Sequence, residues 1–448
     1  MKAPILRLCG TARSRRMDYM IKRIVLQHRN VSILLFPSTS YAIATMSSQP
    51  THQILIVGGN FGGINIAHYL LRKTFKTLKA LHPHTAFQIK LISPNTHFYF
   101  KIAAPRALIN PSLIPEEQYF KSIAEAFKQY DASVFEHVQG KATSVDSENR
   151  TVSVESSLGS SQQIKYDSLV IASGTTSSSP LWTLNGAHEN TRVALQALHQ
   201  DLPKASTILI AGGGAVGVET AGEIATAFPN TKVTLATSSN RVLPRESATM
   251  SAKAKSILGG LGVIVKTDTS LSDPMVDDKT RPVKFADGSS DSPDVFINAT
   301  GARKMNTDWL PPNWVAEDGK VATRDSYFRV RDSQGVYVIG DAASGSNGSA
   351  IALDAMVPVV ASSIAVDVSG SSGGNDGLVG WLTSFIKTPT PRQTEYKPNN
   401  MIVVPIGPNG GVGQAFGWSL PSFIVKKGKA EKYLMELVEP LMSGKKWA

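Results

Sequence analysis

Two glycine runs carry the clearest chemical signal in the sequence: Gly58-Gly59-Asn60-Phe61-Gly62-Gly63 and Gly212-Gly213-Gly214-Ala215-Val216-Gly217. Glycines at this spacing let a chain turn sharply and bring backbone amides against a pyrophosphate, whose charge also meets the positive end of a following helix. The spacing gains specificity only between a strand and a helix. Both runs have that setting. "HQILIV" precedes the first, and a helix expected from about Ile64 follows, with Ile64, Ala67, His68 and Leu71 on one face. "STILIA" precedes the second, and small residues follow it. Two dinucleotide sites are expected.

The first run departs from G-x-G-x-x-G at its middle position, where Asn60 stands. Asparagine is the non-glycine residue that best tolerates a positive φ, so the turn is expected to survive with less room above the phosphate. The next strand, "FQIKLISP", ends near Ser93 without the usual ribose acid, so that contact must come from a hydroxyl or from elsewhere. The second run keeps Gly212, Gly214 and Gly217, and its next strand ends at Ala236-Thr237-Ser238, again without an acid. An acid there binds the 2′-hydroxyl of NADH and repels a 2′-phosphate. Its absence, with Arg241 nearby, leaves NADPH allowed.

Three further segments complete the pattern. "YDSLVIASG" is an apolar strand running to Gly174, "PDVFINATG" repeats it up to Gly301, and "GVYVIGDAAS" sets Asp341 beside Gly340 at a strand end. A carboxylate there can accept hydrogen bonds from ribityl hydroxyls, which assigns FAD to the first site and NAD(P)H to the second. The elements that must position these groups make an α/β fold of two Rossmann-like dinucleotide-binding domains. An FAD-binding domain over 51–174 and 301–367 is interrupted by an NAD(P)H-binding domain over 175–300. The Gly- and Ser-rich run at 368–380 is flexible by composition and leads into a C-terminal α+β module at 381–448.

Composition narrows the alternatives. The 448 residues are 42% apolar and 18% charged, and no run approaches the ~18 uninterrupted apolar residues of a membrane span. Residues 1–50 hold eight of the 46 Lys and Arg and one of the 35 acids, so they account for +7 of the net +11 and leave +4 for the body. With no interleaving of basic and aromatic residues, nucleic acid is not an expected partner. The single cysteine, Cys9, rules out a redox dithiol within one chain, and no metal site is expected. Residues 1–45, rich in Arg and Ser, read either as a mitochondrial transit segment or as an extension upstream of a start at Met46.

The chain resembles the AIF-like, mitochondrion-associated inducer-of-death flavoproteins, the group that includes the ferroptosis suppressors, and more distantly the type II NADH dehydrogenases. "HFYFKIAAPRAL", "GGGAVGVETAGEI", "VYVIGDAA" and "YKPNNMIVVPIGPNGGVGQAFGW" carry the likeness, over about 52–445. The resemblance implies a two-domain glutathione-reductase-like fold, one FAD, hydride transfer from NAD(P)H to the flavin, and delivery of electrons to a quinone-type acceptor. It places Gly58, Gly59, Gly62, Arg106, Val138 and Asp341 against FAD, with Arg106 as a cation for the pyrophosphate. It sets Glu219 near the contact of flavin and nicotinamide, and makes Lys101 and Lys397 candidates to pair with it or to stabilise reduced flavin. Lys101 is a departure, since ferroptosis-suppressor relatives have a neutral amide there. Two other readings stay open: a flavin oxidoreductase of a biosynthetic pathway, and an AIF-like redox sensor.

The tail "SFIVKKGKAEKYLMELVEPLMSGKKW" alternates Phe423, Ile424, Leu434, Leu437, Leu441 and Trp447 with lysines. It either docks on a peripheral membrane surface, where quinones reside, or packs on the body. The sequence does not open with Met-Gly, so the myristoyl anchor of some relatives is not expected. Mitochondrion or membrane-associated cytoplasm is the location these features imply.

Overall fold

The computed structural model describes residues 49–448 apart from 185, 275–281, 302, 371–389 and 399–400. The expected leader, most of the flexible run and the start of the C-terminal module therefore lie outside the described residues.

Nine strands form the two cradle sheets: β1 (Thr51–Val57), β2 (Ala86–Ser93), β3 (Phe135–Gln139), β4 (Ser168–Ile171), β5 (Thr207–Ala211), β6 (Lys232–Ala236), β7 (Ile264–Lys266), β8 (Val295–Asn298) and β9 (Val336–Val338). The first sheet has the order β9-β4-β1-β2-β3, the second β7-β6-β5-β8, and every pair in both is parallel. Parallel strands are covered on both faces, which is why β1 and β4 read as unbroken apolar runs. Ile54, Leu55, Ile56, Leu169, Val170 and Ile171 are all fully buried.

The last strand of the first sheet, β9, follows the whole second sheet in sequence, so the first unit is interrupted by the second. The outgoing and returning crossings lie side by side: Thr175–Ser177 pairs antiparallel with Arg303–Met305. Asn306 stitches them, its backbone N–H donating to the Gly174 carbonyl at 3.1 Å and its side-chain amide to the Ser173 carbonyl at 2.9 Å.

Three helices matter for the site. Helix α1 (Phe61–Tyr69) follows the first glycine turn and begins three residues earlier than the apolar periodicity suggests. Helix α2 (Ala215–Ala227) follows the second turn, and α3 (Ala350–Gly370) packs against α1. With mean hydropathy 1.8, α3 is long and apolar enough to cross a membrane, yet more than half of it is buried in the fold. It is also tied down by charge: Arg329 donates to both oxygens of its Asp367, at 2.8 and 2.7 Å.

The C-terminal part is an antiparallel sheet of β10 (Ile402–Pro405), β11 (Gly411–Ala415) and β12 (Trp418–Ser419), then short helical turns. The chain end straps the back of α1. His68 Nε2 donates to the Met442 carbonyl at 2.9 Å, Arg72 to the Ser443 carbonyl at 2.8 Å, and the Trp447 indole to Asn65 at 3.2 Å. The tail thus packs in part on the body. Leu441 is buried and Trp447 packs edge-on to Tyr69, while Phe423, Ile424 and Leu437 stay exposed.

Candidate functional site

The two glycine turns have the same construction. Gly58 and Gly212 have φ of +125° and +121°, and a Cβ on either would fall 2.2 or 2.1 Å from the carbonyl oxygen of Ala172 or Ala299. Only glycine serves there. One turn later, a Cβ on Gly63 or Gly217 would strike the Gly58 or Gly212 oxygen at 1.7 or 1.8 Å, so these glycines let the helix seat on its strand. Gly58 N–H donates to the Ile92 carbonyl at 2.8 Å, and Gly212 N–H to that of Ala236 at 2.7 Å.

The middle position differs, though not as expected. Asn60 has φ −114°, ordinary extended backbone, so the positive φ expected of it falls instead on Gly58. A Cβ on its equivalent, Gly214, would meet no atom within 4 Å, which is the room a pyrophosphate needs above a helix start. Gly59 and Gly62 line the first turn, and Asn60 Oδ1 accepts from the Tyr99 N–H at 3.4 Å. Gly174 and Gly301, with φ +61° and +69°, likewise have open space over them at the ends of β4 and β8. These cradles fit two dinucleotides.

At the expected ribose positions the strands end in hydroxyls turned inward. Ser93 lies under Gly59, and its Oγ accepts the Asn95 N–H at 3.1 Å. Thr237 lies under Gly213, and its Oγ1 accepts the Ser239 N–H at 3.3 Å. Val138, half-buried on β3, pairs in register with Ile92 beside this end of the first cradle.

Asp341 follows β9 in a tight turn that begins at Gly340, φ +85°. The structure pairs it with Lys101, Nζ to Oδ2 3.6 Å, with side chains 33% and 20% exposed. A pair this accessible is worth at most about 1 kcal/mol. Lys101 is therefore placed with Asp341 and not with Glu219. Lys397 is exposed.

Glu219 has a different partner, which sequence reasoning missed: Lys429, with Nζ 2.5 Å from Oε1. Glu219 and Glu223 are one turn apart on α2 and both nearly inaccessible, at 3% and 4% exposure. Burial pushes the Glu219 carboxyl upward, Lys429 opposes the shift, and Glu223 adds to it. Glu223 is held by Arg106 in a two-pronged pair, 2.8 Å at each oxygen. Arg106 also donates to the Glu431 carbonyl at 3.0 Å and lies 4.6 Å over the Tyr433 ring, whose hydroxyl reaches Glu223 at 3.4 Å. Burial works against the Arg106 charge, and Glu223 more than offsets it.

Arg106, expected at a pyrophosphate, is thus engaged with Glu223. The two cations and two anions cancel, as buried charges require. The cluster joins three segments: the turn at Ala104–Ala107, α2, and the C-terminal residues 429–433.

Comparison with known proteins agrees with this architecture. The family described as pyridine nucleotide-disulphide oxidoreductase matches residues 52–357. "Oxidoreductase phnG" of Penicillium herquei is 30% identical, covering 91% of this chain and 99% of that protein. Ferroptosis suppressor protein 1 of Xenopus tropicalis is 24% identical over 86% and 94%. The sulfide:quinone oxidoreductase structure from Aquifex aeolicus shares the fold, with TM-score 0.62 and 14% identity over 88% and 92% of the two chains. The chain belongs to the pyridine nucleotide-disulphide oxidoreductase family, whose members bind FAD and NAD(P)H.

Proposed function

We propose that the protein oxidises NAD(P)H through FAD and delivers the electrons to a quinone-type acceptor. The observation that carries this reading is the doubled cradle: two phosphate-binding turns at the ends of two parallel sheets, joined by paired crossings, with a buried carboxylate on the second cradle helix. FAD supplies the step from a two-electron hydride donor to an acceptor, and the protein supplies order, charge and exclusion of water. Asp341 holds the ribityl side with Lys101 beside it. Glu219, fixed by Lys429, positions the nicotinamide. One proton beyond the hydride completes a hydroquinone, and solvent can provide it.

A lipid-soluble acceptor accords with the outer face of the C-terminal part. Phe416, Trp418 and Phe423 are 78%, 80% and 68% exposed, next to Lys426 and Lys427. Apolar side chains rimmed by cations suit the surface of an anionic membrane. A second reading, a flavin oxidoreductase of a biosynthetic pathway, is favoured by the higher identity to the Penicillium oxidoreductase than to the ferroptosis suppressor. Anaerobic reduction by NAD(P)H followed by reoxidation with a panel of quinones, dyes and oxygen separates the two. Fastest reoxidation by quinones supports the proposal; a protein reduced by NAD(P)H but inert to every quinone refutes it.

A further inference from the structure

We propose that the C-terminal strap, residues 442–447, is an FAD-retention element, with Trp447 and Asn65 as positioning residues for the first cradle. Asparagine inside a helix is ordinarily unfavourable, because its amide competes with the backbone for hydrogen bonds. Asn65 nevertheless stands in the middle of α1, 1% exposed and flanked by the buried Ile64 and Ile66. Both ends of its amide are used. Nδ2 donates to the Phe61 carbonyl at 2.9 Å, and Oδ1 accepts the Trp447 indole N–H at 3.2 Å. The amide can lie only this way round, since a carbonyl only accepts and an indole only donates. Phe61 belongs to the glycine run expected to seat the pyrophosphate. Two hydrogen bonds in series therefore join the strap to the first cradle.

The strap is seated along two helices. Gly444, φ +69°, approaches so closely that a Cβ on it would fall 2.6 Å from both His68 Nδ1 and Arg72 Nε. Trp447 sets its ring edge-on to Tyr69, centroids 5.1 Å apart, and Lys446 pairs with Asp354 near the start of α3. The strap thus ties α1 to α3. The first begins at the glycine turn and the second follows the turn at Gly340–Ala342, the two places to which FAD is assigned. A ligand reaching both turns is held firmly only while their supports stay within about 0.5 Å of the productive geometry. Helix α2 is held instead by the ion pairs of Glu223 with Arg106 and Glu219 with Lys429. Loss of the strap should therefore fall on the flavin and spare the nicotinamide nucleotide.

A strap that steadied the FAD-free and the FAD-loaded protein equally would be structural only. Retention requires a coupling between the two, and such coupling is reciprocal. If the strap holds FAD in place, FAD holds the strap in place.

The test is the rate at which FAD leaves the protein, read from the fluorescence of released flavin. The parent is compared with Trp447→Phe, which keeps a ring against Tyr69 but removes the donor to Asn65. Release is expected to be about tenfold faster in the variant, because a buried acceptor left unpartnered favours the loosened cradle. The affinity of the FAD-loaded protein for ADP-ribose, a fragment that fills the second cradle and carries no hydride, is expected to stay the same. Equal release rates overturn the proposal, and so does an equal weakening of both cradles, which marks general loosening. Hydrogen exchange followed by mass spectrometry gives the reciprocal reading on the parent protein and needs no variant. Loading with FAD is expected to protect the amides of residues 442–447 more than those of the second sheet. Protection no greater than in that sheet also overturns the proposal.

Discussion

The two cradles are alike at the front and different at the back. Their turns match at both ends, at Gly58 and Gly212 and again at Gly63 and Gly217. Behind them, α1 is held by the chain end through hydrogen bonds to backbone carbonyls and a neutral imidazole. Behind the second turn, α2 is held by buried ion pairs to Arg106 and Lys429. The difference teaches that the C-terminal part fastens both nucleotide helices, but by chemistries that fail under different conditions.

The largest expected effect comes from breaking the ionic fastening. Glu223→Leu leaves the Arg106 guanidinium buried and unpaired, which costs about 3–5 kcal/mol of stability. Arg106→Met with Glu223→Leu removes both charges and is expected to recover most of that loss in a urea melt. A double variant as unstable as the single one would show that the pair does more than cancel its own charges.

Acid attacks the other fastening. His68, buried and stacked 4.1 Å from Phe127, has its pKa pushed down from 6.5 to about 4, chiefly by burial, against the help of the Met442 carbonyl. Its Nε2 must carry the proton donated to Met442, which leaves Nδ1 to accept from the Tyr130 hydroxyl at 3.2 Å. The neutral ring is therefore the stable one. Its contribution is complete above pH 6.5, is lost progressively as pH falls toward about 4, and then levels off. A loss of about 3 kcal/mol follows from that shift. Urea melts across the range should show this slope in the parent protein and lose it in His68→Gln.

A smaller effect separates the fronts. Gly214→Ala adds a methyl where no protein atom lies within 4 Å, so folding should change little. Affinity for the nicotinamide nucleotide should fall about tenfold, because the methyl enters the pyrophosphate's space. Asn60→Gly, at the equivalent place, should alter FAD retention by less than about 1 kcal/mol, since its backbone is already extended. Titration of each variant with each nucleotide compares them directly.

Much of this is legible in the sequence because its signals are local. Glycine spacing, apolar strands and the strand-end turns at Gly174, Gly301 and Gly340 are each read within about ten residues, and their order implies the interrupted first unit that β9 displays. The charged cluster is not legible. Lys429 and Glu219 are 210 positions apart, and a lysine in "VKKGKAEK" looks like a solvated one until folding buries its head. Arg106 misleads for a related reason: its place in the sequence suits a phosphate, and only the fold reveals Glu223 facing it. Asn60 draws the expectation of a positive φ because it breaks the glycine pattern, whereas the positive φ falls on Gly58 two residues before it.

The central claim is that the two cradles hold a flavin and a nicotinamide in reacting contact. It is tested most directly by anaerobic titration of the FAD-loaded protein with NADPH and with NADH, following the visible flavin band. Complete bleaching at one equivalent of NADPH or of NADH is the expected result. A flavin band that persists under excess of both nucleotides would contradict it.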